Sequence, residues 1–289
     1  MLTVFFLAVL LGVAALAVDV GAWYRQSRQA QATADAAALA GAEVLPTDPS
    51  QAQVLAQQYG DANSGGVDSI TFRSDYQPSD TVVVKVAQPA QSFFASVFSI
   101  GSVTVGATAA ARTDVPAQAY GLAPIVVNIQ HPLLSGSGCP CFGQDTTLPL
   151  GPLGAPGAFG FMNLDPNGNF GVPPLSTWIQ YGYQDYVGFG DYSDVGAKFN
   201  SNGITSALAA RIGTDLIFPV YDTLTGSGSN ATFDVISWVA FHLTGYTVSG
   251  TGKTGSISGY FTRVLVNGIQ PGTNQNIPDL GADSVTLVN

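Results

Sequence analysis

Few residues of this chain have types and spacing that could do chemistry. The two histidines, His131 and His242, lie far apart in the sequence. A serine–histidine–acid site needs its base beside a nucleophile held in a strand-to-helix turn. Gly136-Ser137-Gly138 lacks that context and His242 falls in a strand-like alternation, so His242 reads as structural and no enzyme is expected. Gly250-Thr251-Gly252-Lys253-Thr254-Gly255 contains a GKT, but a phosphate loop would need glycine where Thr247 stands and a helix where strand-like residues follow. It reads as a glycine hairpin. Asp165, Asn167 and Asn169 place oxygen atoms at alternate positions, as a calcium loop does, but the twelfth position is Ser176 and not a closing acid. The same residues are common in plain turns, so calcium stays open as the single cofactor to be considered. Asp185, Asp191 and Asp194 form a similar acidic group among Tyr181, Tyr183, Tyr186 and Tyr192. Cys139-Pro140-Cys141 could close a tight disulfide or make two intermolecular bonds, and lacks the flanking helix of a redox site. Asn230-Ala231-Thr232 is a glycosylation sequon in a Gly/Ser-rich loop.

Composition narrows the classes further. Lys and Arg number 9 against 19 Asp and Glu, giving a net charge of −10 over 289 residues. No basic field is present to release phosphate counterions, so no nucleic-acid partner is expected. Charged residues are 10% of the chain, against about 25% in an average soluble domain. Glu43 is the only glutamate; an acidic complement made almost wholly of Asp, with abundant Gly, Ser, Thr and Asn, belongs to turns and strands more than to long surface helices.

The exception is the N-terminus. Residues 1–18 carry no charge, Asp19 is the first ionisable side chain, and apolar character continues to Trp23 and Tyr24 before Arg25 and Arg28. About 20 helical residues cross a ~30 Å hydrocarbon layer, and Trp-Tyr followed by arginines is the pattern of an interfacial belt. Three readings are open: a secretory signal cleaved after Ala17, a permanent membrane anchor, or a pilin-type helix that resides in the membrane before assembly and in a filament core afterwards. The third is preferred, with Met1 either initiator or exposed by leader cleavage. No proline occurs before Pro46, and eight of the 13 residues from Ala30 to Ala42 are alanine, the best helix former. One helix of about 43 residues, ~65 Å long, is predicted. Its small-sided half, with Ala34 and Ala38, is expected to form a close-packed seam between neighbouring chains, the alternative being a stalk packed on its own domain. Phe5, Phe6, Leu10, Val13, Leu16, Asp19, Trp23, Arg25 and Arg28 complete the expected assembly helix. Asp19 needs a partner or water: Arg25, Arg28 or an α-amino group of the same or another chain, or solvent at the membrane edge.

The runs Gly12 to Gly21, with its Ala17-Val18-Asp19-Val20-Gly21 turn, and Gln31 to Ala42, with its DAAALAGA block, resemble the N-terminal signature of TadG-like (TadE/G-like) proteins of tight-adherence pilus systems. Phe93-Phe94-Ala95 leading into Ser102 to Val105, and Pro219 to Asp222 followed by Phe233 to Tyr246 and Gly259-Tyr260-Phe261, resemble the family more weakly. The resemblance implies an envelope or cell-surface protein tied to pilus machinery, and no enzyme. Phe5 departs from the glutamate usual at that position of mature type IV pilins.

The remaining chain reads as α+β. Residues 47–112 suggest a small head of helix–strand–strand–helix–strand order: a helix over 50–61, strands over 67–73 and 81–87, a short helix from Pro89 with Phe93, Phe94, Val97 and Phe98 lying on a sheet, and a strand over 102–109. Residues 113–289 read as a β-rich outer domain with a Gly/Pro-rich insertion at 131–174. Strands are expected at 125–130, 216–221, 232–243, 256–266 and 284–288, and short helices at 174–181 and 204–211. In the strand over 232–243, Phe233, Val235, Val239, Phe241 and Leu243 are assigned to one face, Ile236 and Trp238 to the other. Together with the leading helix over 1–46 these features predict a structural subunit of an extracellular pilus-like filament. It would polymerise through its helices, face the β-rich domain outward, and serve adhesion after handling by pilus secretion machinery. The alternative is a monomeric membrane-anchored TadG-like assembly factor with an extracytoplasmic β-rich domain.

Overall fold

A computed structural model describes residues 2–151, 154–165, 172–196, 199, 202–227, 230–249, 254–269 and 277–288. The chain divides into two compact units, Met1–Thr113 with Val285–Asn289, and Asp114–Ser284. The leading helix and the expected head therefore form one unit, and the C-terminal end returns to it.

The first unit begins with α1 (Leu2–Ala42) and α2 (Pro49–Ala62), followed by strands β1 (Val67–Arg73), β2 (Thr81–Gln91) and β3 (Ser102–Asp114). Asp48 caps α2: its carboxylate accepts from the Gln51 amide at 2.9 Å, with Pro49 in the first turn. The strands pair antiparallel in the order β1-β2-β3, next to the C-terminal strand Ala282–Val288. Ala30, Ala34, Ala37, Ala38, Ala42 and Leu45 are buried against Ala52 and Ala56 of α2 and Val82, Val84 and Val86 of β2. A methyl added at Gly41 would meet the Ala52 carbonyl and the Ala56 Cβ at 3.1 Å. The alanine–glycine block thus lets α1 and α2 approach closely within one chain. Ala34 and Ala38 are both 0% exposed, so the expected intersubunit seam at these residues is corrected to the interior of the head.

The segment after Pro89 is also corrected. Strand β2 runs through Pro89 to Gln91, a 3-10 turn follows at Ala95–Phe98, and the Ser92 amide donates to the Gly101 carbonyl at 3.0 Å. The segment is the tip of the β2–β3 hairpin, and its phenylalanines point outward instead of onto a sheet.

The second unit contributes β4 (Gln118–Tyr120), β5 (Ile125–Asn128), α3 (Pro132–Ser135), β6 (Asp145–Pro149), β7 (Phe159–Phe161), α4 (Val172–Tyr181), β8 (Tyr186–Gly188), β9 (Gly190–Ser193), α5 (Asn202–Arg211), β10 (Thr214–Thr225), β11 (Thr232–Ser249), β12 (Thr254–Thr262), β13 (Val264–Leu265) and β14 (Gly268–Ile269). β15 (Ala282–Val288) spans the boundary between the units. The main sheet runs β6-β12-β11-β10-β5-β7, with β9 beside one end of β11. A smaller sheet runs β14-β4-β8. Residues 131–174 are more than an insertion: they supply β6 and β7, the two edge strands of the main sheet, separated by Gly/Pro runs that break them into short pieces.

Alternation on β5 sends Ile125 and Val127 to one core and Val126 to another. The first core holds Leu175 and Ile179 of α4 and Ile204 and Leu208 of α5; the second holds Ala119 of β4 and Val187 of β8. Both faces of the main sheet are therefore covered, which accounts for strands apolar on both sides. The expected single face of β11 is corrected. Phe233 and Val235 join Trp238 in the second core, whereas Val239, Phe241 and Leu243 lie in the first. The cause is a bulge: Val220 pairs Ser237 but Tyr221 pairs Val235, which inverts the alternation beyond Ile236.

One buried ionic group in this unit responds to pH. Arg263 donates from Nη1 to Asp283 and from Nη2 to Asp279, both at 2.8 Å. Two carboxylates share one guanidinium. Burial, then the negative charge of Asp279, pushes Asp283 up to about 7 against the pull of Arg263.

Two outcomes follow from this packing. Ala38→Trp should unfold or loosen the head by several kcal/mol, because overpacking of a filled core costs ~1–3 kcal/mol or more; thermal unfolding and proteolysis of the variant check this, and an intact head would mean that position faces outward. For Asp283, the folded pKa lies above the unfolded carboxylate value of about 3.9. Between those pH values the folded state holds a proton that the unfolded state has lost, so stability falls as pH rises from about 4 to about 7 and levels off above. Asp283→Asn should remove that decline, a difference on the order of a few kcal/mol across the window, read as the pH dependence of Tm relative to the unaltered chain.

Candidate functional site

The site lies along α1 and at the hairpin tip. Phe5, Phe6, Leu7, Val9, Leu10, Leu11, Val13, Leu16 and Val18 are all exposed, so this half of the helix meets water-incompatible surface on every side. The helix, over Phe5–Ala42, is long and apolar enough to cross a membrane. The other half is committed to the head, as described above. Between the halves, Gln26 Nε2 donates to Gln88 Oε1 and Gln88 Nε2 to the Gly65 carbonyl, each at 2.7 Å. Thr33 Oγ1 donates to the Gln29 and Asn63 carbonyls.

Asp19 sits where the exposed half ends, and it is 2% exposed. Its carboxylate accepts three backbone amides from the hairpin tip: Phe93 at 2.7 Å, Phe94 at 3.1 Å to each oxygen, and Ala95 at 2.6 Å. Main-chain amides hold it in place of the arginines, α-amino group or solvent expected from sequence; Arg25 and Arg28 remain exposed and Trp23 is half-buried. Free amides at the start of a turn suit a carboxylate, since charge-assisted hydrogen bonds are roughly twice as strong as neutral ones. The Asp19 turn of helix and the Phe93-Phe94-Ala95 motif, both visible in the sequence, are thereby brought together. Their coupling had one further sequence signal: residues 86–111 contain no Asp, Glu, Lys or Arg.

The other candidate residues are scattered. Cys139 and Cys141 form a disulfide, with Cα atoms 4.5 Å apart. Asn230 is exposed immediately before β11. Asn163 Nδ2 donates to the Asp165 carbonyl and the Asp165 amide to Asn163 Oδ1; Asn167 and Asn169 lie outside the described residues. Among the described residues no group of three His, Cys, Asp or Glu side chains could hold a metal ion. Asp194 Oδ2 accepts from the Gly196 amide, and burial raises its pKa. His131 caps α3, its Nδ1 accepting from the Leu133 amide at 3.1 Å, and burial lowers its pKa, so the ring is held neutral. His242 Nδ1 lies 2.7 Å from Asp215 and the ring stacks on Tyr260. Gly250 to Lys253 lie outside the described residues; Ser249 and Thr254 on either side pair as the ends of a β11–β12 hairpin.

Residues 1–44 match a family model described as Tad, putative Flp pilus-assembly TadE/G-like. The matched segment includes Asp19 and the alanine–glycine block, and covers 44 of the 289 residues. No curated protein and no solved structure matches the chain. The N-terminal helix is thus similar to that of Tad pilus-associated proteins.

Asp19→Ala would leave the amides of Phe93, Phe94 and Ala95 without their acceptor. Hydrogen–deuterium exchange should accelerate at residues 92–98 while the β2–β3 pairs Val82–Ala111 and Val84–Ala109 stay protected; unchanged exchange at the tip would show that another group holds it.

Proposed function

We propose that the chain is a membrane-anchored accessory of a Tad-type pilus system, with residues 2–18 in the bilayer and the two folded units on the extracytoplasmic side. The observation that carries this reading is the division of α1. Its first half exposes large apolar side chains on every face, and its alanine half is committed to its own head. Lipid satisfies such a first half with every backbone group bonded within the helix. Most of the small-residue block is used inside its own head, with Ala30, Ala34, Ala37, Ala38 and Ala42 buried there and Ala32 left exposed. The Cys139–Cys141 disulfide suits an oxidising compartment. The role in this reading is one of scaffolding, with His131 capping α3 and His242 stacked on Tyr260 beside Asp215.

A filament subunit remains the rival, since sister helices could also shield residues 2–18. Shearing cells and separating the material without detergent distinguishes them. The anchor reading expects the chain to stay with membranes and to enter solution only with detergent. Recovery in sheared, detergent-free filaments at stoichiometric amounts would overturn it in favour of polymerisation.

A further inference from the structure

We infer that the tip of the β2–β3 hairpin, residues 92–101, is a second membrane-contacting element, seated at the boundary between headgroups and acyl chains beside α1. This rests on the anchor reading and adds to it a lipid-binding surface outside the helix.

The tip carries five large apolar side chains that stay exposed among the described residues. Val97 and Phe98 are each 80% exposed, Phe93 62%, Phe94 49% and Ile100 47%. Five such groups on one turn are costly in water. Their position is fixed by Asp19, whose carboxylate holds the amides of Phe93, Phe94 and Ala95. The tip must therefore lie at whatever depth Asp19 does. Asp19 is the first ionisable side chain along the apolar run of α1, and Trp23, Tyr24, Arg25 and Arg28 follow it within about two and a half turns. When the helix spans the bilayer, Asp19 and the tip fall at the near edge of the hydrocarbon, and Trp23 and Tyr24 fall about one turn farther out, in the interfacial belt.

Chemistry agrees with that depth. Residues 86–111, from within β2 through the tip and into β3, contain no charged side chain. Several polar groups at the tip are bonded, Ser92 N–H to Gly101, Ser96 Oγ to the Phe93 carbonyl at 2.6 Å, and the Ser99 amide to Ser96, whereas the buried Ser92 Oγ has no partner among the described residues. Asp19 gains from the same arrangement, because its carboxylate enters the interface already carrying three donors. The occupant is lipid and not another protein because the exposed surface is continuous with the apolar half of α1 through the Asp19 bonds.

The test places a nitroxide on Phe98→Cys in the full chain, reconstituted in vesicles of equimolar phosphatidylcholine and phosphatidylglycerol. Leu10→Cys and Thr223→Cys carry the same label as references for the helix and for the second unit. Power-saturation accessibility to oxygen and to a polar nickel complex is read at each. The inference expects the oxygen-to-nickel ratio at Phe98 to exceed that at Thr223 severalfold, corresponding to a depth within about 5–10 Å of the headgroup boundary. If Leu10 reads lipid while Phe98 matches Thr223, the tip lies in water; the inference fails and the anchor stands. If neither Leu10 nor Phe98 reads lipid, the anchor reading fails and this inference with it. Spin–spin broadening at Phe98 that vanishes on dilution with unlabelled chain would make a second copy the occupant and overturn the lipid assignment. Asp19→Ala in the Phe98→Cys background, expected to reduce the ratio, checks that the helix sets the depth.

Discussion

A carboxylate placed at the end of a long apolar helix has to be satisfied by donors that travel with it. In this chain the donors are backbone amides from a hairpin tip more than seventy residues downstream, and they meet both oxygens of Asp19. The bond set does two things at once. It makes an ionisable group tolerable beside hydrocarbon, and it fixes the β2–β3 hairpin to one level of α1. Since α2 and the sheet pack on the alanine half of the same helix, the head is held in a defined position along the rod.

The alanine–glycine block shows how one sequence pattern serves different physics in different surroundings. Small side chains let helices approach closely wherever they meet. Here the partner is α2, through Gly41, Ala52 and Ala56, so close approach builds the head rather than an intersubunit contact. The largest apolar surfaces left for external partners are the large-sided half, Phe5 to Val18, and the hairpin tip, whose bulk and lack of polarity suit acyl chains.

Much of this was legible from the sequence. The uncharged run up to Asp19 and the proline-free stretch to Ala42 predict α1, and the helix expected over 50–61 is α2. The strands of the second unit were legible too, as short apolar runs, because burial between layers leaves apolar residues on both faces. What was not legible depends on tertiary context. The partner of Asp19 is a set of main-chain amides, which no side-chain pattern announces. The outward turn of Phe93 and Phe98 was missed because spacing alone cannot tell a helix on a sheet from an apolar hairpin tip. The split of Phe233 from Phe241 follows from a one-residue bulge that reverses a period-two pattern. The edge roles of β6 and β7 were hidden by the Gly/Pro runs around them.

Solid-state NMR reads directly whether the Asp19 carboxylate is held by the hairpin tip in lipid. With 13C at Asp19 and 15N at Phe93, Phe94 and Ala95 in a bilayer-reconstituted sample, dipolar recoupling should give nitrogen-to-carboxyl-carbon distances of about 3.5–4 Å, as hydrogen bonding requires. Absence of that coupling, or coupling of the Asp19 carboxyl carbon to an arginine guanidinium instead, would contradict it.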